Sequence, residues 1–84
     1  MKAPRVPKSI NLGYGNIIKV RLVSQSRMKL IGRAEEPLDG MWDDVSRTMY
    51  IDKNLSAERR KQTFYHEMLH VINDVAALGS DIHL

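Results

Sequence analysis

The chain has 84 residues, no cysteine and a formal net charge of +3. Its length fits one domain, and the lack of cysteine excludes disulfides and thiolate metal sites, so any metal ligand must be His, Asp or Glu. The charge is unevenly spread: Lys2, Arg5, Lys8, Lys19, Arg21, Arg27, Lys29 and Arg33 all precede the first acidic residue, Glu35.

A basic half can attract nucleic acid or an acidic partner. Here the basic residues are dispersed and few aromatics accompany them, so nucleic-acid binding is expected to be absent or weak and salt-sensitive. The start, MKAPRVPKSI, is positively charged but lacks the apolar stretch of a signal peptide. No apolar run is long enough to span a bilayer. A soluble, cytoplasmic protein without membrane association is therefore expected.

Residues 1–13 contain Pro4, Pro7, Asn11 and Gly13 without periodicity and read as a flexible basic arm, with residues 14–84 as the single domain. Ile18, Val20 and Leu22 alternate with Lys19 and Arg21, which predicts a strand from Asn16 to Val23 with one wet face. Ser24 to Ser26 read as a turn and Met28 to Ile31 as a second short strand. Glu35 to Gly40 is a loop, broken by Pro37 and Gly40. Gly40 to Asp43 and Arg47 to Ile51 read as two strands joined by a tight turn, with Trp42, Thr48 and Tyr50 suited to a pleated surface.

A long helix is predicted from Ala57 to Leu78, with Ser56 as N-cap, Glu58 in the first turn and Gly79 as the stop. At about 100° per residue, Phe64, Met68, Val71, Val75 and Leu78 form one apolar stripe, and Tyr65, Leu69, Ile72 and Ala76 widen it. His66 and His70 fall on the opposite, polar arc, beside Glu67 and Asp74. The fold class is then α+β: a small antiparallel sheet packed on one long helix.

That helix carries His66-Glu67-Met68-Leu69-His70, an H-E-x-x-H motif. Residues i and i+4 share a helix face, so two imidazoles can approach one zinc ion together. Glu67 projects from the same side and can take a proton from a water that the metal acidifies. A chance match in such a chain is on the order of a few in a thousand, so zinc binding through His66 and His70, with Glu67 as catalytic base, is the preferred reading over two solvated surface histidines.

The run T-M-Y-I-D-K-N-L-S-A-E-R-R-K-Q-T-F-Y-H-E-M-L-H resembles the ImmA/IrrE-type zincin metallopeptidases and their short phage and prophage relatives. Those proteins place an I-x-I-[DN] strand, a short loop and an arginine-rich helix start before H-E-x-x-H. The resemblance covers about residues 40–78. It implies a minimal zincin-like domain, His66 and His70 as zinc ligands, Glu67 as base, and a protein or peptide substrate. The family's third ligand is usually a glutamate beyond the active-site helix, but none of the fourteen residues after His70 is glutamate.

For that third position, reach ranks His83 first, Asp74 second, and a water or another chain third. Asp74 can instead hold an imidazole N–H. Tyr50 can stabilise an oxyanion, Tyr65 reads as core, and Trp42 as core or pocket wall. Arg59, Arg60 and Lys61 read as a solvated helix start. The segment Thr48 to Ile51 is expected to be an edge strand able to pair with an extended substrate. The function expected is a zinc-dependent endopeptidase. Two alternatives stay open: a metal-dependent endoribonuclease, similar to the ribosomal-RNA-maturation enzymes with H-x3-H-x5-H, and a non-catalytic protein stabilised by zinc. The sequence does not fix an oligomeric state.

Overall fold

The computed structural model describes residues 6–32 and 37–82, with side chains described up to Ala76 in the last helix. The element order is β1 (Ser9–Asn11), β2 (Ile17–Val23), α1 (Gln25–Gly32), β3 (Gly40–Asp43), β4 (Thr48–Asp52) and α2 (Ala57–Ile82). The fold is α+β: one four-stranded sheet, in the order β1-β2-β4-β3, with the long helix packed on it. The sheet is mixed rather than wholly antiparallel, because β2 and β4 run parallel at its centre.

Register sorts the side chains. Val20 pairs with Met49 and Leu22 with Ile51, while Ile10 sits opposite Ile18 and Trp42 opposite Met49. Since side chains alternate along a strand, these residues share one face. That face meets α2, and Ile18, Val20, Met49, Ile51 and Val71 form the buried cluster, with Phe64, Met68 and Val75 packed against it.

Several expectations change here. The first concerns Ser9–Asn11, read as part of a loose arm, which pairs with β2 as an edge strand. Val6, Ile10 and Leu12 pack against the core, so the ordered domain starts earlier than residue 14. Residues 1–5 lie outside the described residues. A loop with Gly13, Tyr14 and Gly15 all at positive φ (87°, 53° and 80°) returns the chain into β2; Asn11 fastens it by accepting the Gly13 N–H at 2.8 Å.

The second concerns Met28 to Ile31, which is helix rather than strand. Ser24 caps it, its Oγ accepting the Arg27 N–H at 3.2 Å and its carbonyl the Met28 N–H at 2.9 Å. Short apolar runs do not distinguish helix from strand by spacing alone. Here only Met28 is buried, and Leu30 points to solvent.

The third concerns Thr48 to Ile51. The strand they belong to is internal, flanked by β2 and β3, and the free edge on this side is β3. The last helix also continues through Gly79 to Ile82. No helix among the described residues is long and apolar enough to cross a membrane.

Ile51 is fully buried between sheet and helix, whereas Leu30 is largely exposed. Ile51→Ala should therefore cost about 2–5 kcal/mol of unfolding free energy, and Leu30→Ala about 0.5 kcal/mol or less. Urea denaturation of both variants checks this; similar losses at the two positions would contradict the assigned core.

Candidate metal centre

Helix α2 starts where the sequence predicts. Ser56 Oγ accepts the Arg59 N–H at 3.1 Å and its carbonyl the Arg60 N–H at 2.8 Å, which satisfies donors that a helix N-terminus otherwise leaves unpaired. Upstream, Asp52 is buried at the end of β4 and accepts the Asn54 N–H at 2.9 Å and Gln25 Nε2 at 2.7 Å. The same Gln25 amide donates to the Leu38 carbonyl at 2.5 Å and accepts the Leu38 N–H at 3.3 Å. Asp52 and Gln25 thereby tie the segment before β3 to the strand that feeds α2.

The face that α2 buries is rotated from the predicted one. Among its described side chains Thr63, Glu67 and Val71 are buried, while Tyr65, Leu69 and Ile72 are 59, 62 and 50% exposed. A four-stranded sheet is too narrow to cover half the helix circumference, and contact with β3 turns Glu67 inward. Gly40 makes that contact possible. A Cβ there would lie 2.6 Å from Thr63 Cγ2, 3.1 Å from the Tyr50 carbonyl oxygen and 3.3 Å from Glu67 Cγ.

His66, Glu67 and His70 form a group whose ligand atoms all lie within 4.8 Å of one another. The imidazoles are exposed, with ring centroids 5.2 Å apart and planes at 78°. Tetrahedral zinc with bonds of about 2.0–2.1 Å wants its donors about 3.4 Å apart. Exposed imidazoles can close that distance by side-chain rotation, so two imidazoles and a carboxylate fit a divalent metal that takes nitrogen and oxygen donors. Glu67 is the buried member. Burial pushes its carboxyl above the usual glutamate range, and His70 and then His66 pull it back down.

An open groove of about 620 Å³ runs beside this group. Pro37, Leu38, Asp39 and Gly40 form one wall, and Arg59, Gln62, Thr63, His66 and Glu67 the other. The Arg59 guanidinium spans its mouth to Asp39, with Nη2 2.7 Å and Nε 2.8 Å from Oδ2. Both residues are exposed, so this pair orients the walls more than it stabilises the fold.

Other expected site residues fall elsewhere. Asp74 is not part of the group; its Oδ2 accepts the Trp42 indole N–H at 2.5 Å, fastening β3 to α2. Tyr50 pairs with Met41 in the register, which puts it on the sheet face opposite Gly40 and Trp42, away from the imidazoles. Tyr65, expected in the core, is exposed. His83 lies outside the described residues. The groove wall from Pro37 to Gly40 was not foreseen. Its one sequence signal is Gly40, which reads as a breaker but serves as the point of close approach. On the helix, Arg59, Thr63, His66 and His70 follow i, i+4 and i, i+3 steps, a shared side that the apolar count overlooks.

No family model, curated protein or solved structure matches the chain.

Gly40→Ala should push β3 from α2 and cost about 1–3 kcal/mol, because the added methyl would lie 2.6 Å from Thr63 Cγ2 on the helix while the Tyr50 carbonyl, at 3.1 Å, blocks retreat on the β4 side. An unchanged urea midpoint would contradict the close approach. A second expectation concerns pH. The native state holds the Glu67 proton more tightly than the unfolded chain, so this stabilising contribution is complete below the unfolded pKa and is lost as pH rises through the native one. In metal-free protein, Glu67→Gln should thus raise the melting temperature near neutral pH, by an amount that shrinks toward acid pH. A gain that grew on acidification would reverse the sign.

Proposed function

We propose that the chain is a zinc-dependent metallopeptidase of the ImmA/IrrE type, acting on an extended peptide. The observation that carries this reading is the meeting of two imidazoles and a buried carboxylate on one helical turn, beside a groove whose opposite wall, Pro37 to Gly40, leads into the edge strand β3. His66 and His70 would hold the metal, which when bound acidifies water and polarises a carbonyl. Glu67 accepts the proton from water as the water oxygen attacks the peptide carbonyl carbon. The same carboxyl then returns that proton to the amine nitrogen as the C–N bond breaks. Burial raises its proton affinity above that of an ordinary glutamate, the direction that favours proton acceptance.

Strand β3 supplies the substrate's track. Asp52 N–H donates to the Asp39 carbonyl at 2.8 Å. In an antiparallel pair the hydrogen-bonded positions alternate, so Gly40 and Trp42 direct their N–H and C=O groups away from β4. A peptide pairing with that edge by strand addition runs beside the His66 and Glu67 wall. The edge expected at Thr48 to Ile51 is thus replaced by its neighbour.

A purely structural zinc fits less well. Structural sites close four protein ligands around the ion. Among the described residues the group offers two imidazoles and the Glu67 carboxylate, all from α2.

The test pairs binding with turnover. Zinc titration by calorimetry should show one site, lost in His66→Ala and His70→Ala and kept in Glu67→Gln. Hydrolysis of a fluorogenic peptide library should need zinc and fall at least about 100-fold in Glu67→Gln. Zinc binding that survives both histidine variants, or hydrolysis that Glu67→Gln leaves unchanged, would overturn the reading.

A further inference from the structure

The side of α2 turned away from the sheet carries Tyr65, Leu69, Ile72 and Ala76, all exposed. Their steps of four, three and four residues are the seam spacing of a two-helix coiled coil. No charged side chain lies on this seam, which spans three turns of helix. Its order of sizes is self-complementary. Under a two-fold axis at the level between His70 and Val71, Tyr65 of one copy meets Ala76 of the other, and Leu69 meets Ile72. The largest side chain faces the smallest, and two middle-sized ones face each other twice, which is how facing layers interdigitate.

We infer that this seam is a homodimer interface, in which two copies of the chain pack α2 antiparallel against α2. A closed two-fold pairing uses the same patch on both copies, as this seam requires. Helices packed this way cross at about 20° with axes about 8–10 Å apart. With three large side chains half exposed or more, the seam offers roughly 400 Å² per copy, about half of what a standard specific interface buries on each partner. The dimer is therefore weak and concentration-dependent, dissociating in the micromolar range or above. It does not depend on a metal, because the seam contains none of His66, Glu67 or His70.

Sedimentation of the full chain across a concentration series, with zinc and with a chelator, should show a monomer–dimer equilibrium in both. Leu69→Glu places a charge against Ile72 of the second copy and should weaken the dimer at least about 100-fold. Helical circular dichroism should not change, since Leu69 is 62% exposed in the single chain. Register is tested separately, because the chain has no cysteine of its own. An equimolar mixture of Tyr65→Cys and Ala76→Cys proteins should cross-link on oxidation. Tyr65→Cys alone should not, since antiparallel pairing leaves those positions about 16 Å apart. A monomer up to about 1 mM overturns the proposal. So does a dimer that Leu69→Glu leaves intact, or cross-linking of Tyr65→Cys with itself.

Discussion

The candidate site depends on one close approach. At Gly40 the edge strand β3 comes so near α2 that a methyl group would overlap Thr63, and this nearness buries Glu67 while leaving His66 and His70 at the surface. A helix alone would present all three side chains to water. A broader sheet with a bulkier residue at position 40 would hold the helix farther off. The Trp42 indole, donating to Asp74 a turn beyond His70, clamps the same two elements farther along.

Around that contact the molecule divides its work. Glu67 is held by burial, with its proton affinity raised by loss of water and lowered again by the neighbouring imidazoles. The imidazoles stand exposed at the surface beside it. The facing wall is positioned by Gln25, whose amide bridges Leu38 and Asp52, and by the Arg59–Asp39 pair. The buried cluster is small, so each of Ile18, Met49, Ile51 and Val71 carries a large share of the packing.

Much of this was legible in the sequence where local chemistry decides. Alternation in Ile18, Val20 and Leu22 marks β2, the Ser56 cap and Glu58 mark the start of α2, and the four-residue spacing of His66 and His70 marks their shared side. What sequence could not give was set by partners distant in the chain. Periodicity places Tyr65, Leu69 and Ile72 on the apolar side but cannot say that the sheet is too narrow to reach them. It assigns Glu67 to the polar arc because the contact that buries it comes from Gly40, twenty-seven residues earlier. Strand order is equally nonlocal: Thr48 to Asp52 becomes internal only because β2 returns alongside it in parallel. Asp74, within reach of the outer side of the site by spacing, is instead engaged by Trp42, thirty-two residues earlier.

The central claim is that His66 and His70 hold a zinc ion beside the groove. Anomalous scattering at the zinc edge, from crystals of the full chain grown with stoichiometric zinc, tests it most directly. The expected result is a single strong peak within about 2.0–2.1 Å of one imidazole nitrogen from each histidine. Zinc found only elsewhere on the molecule, with both imidazoles free, would contradict it.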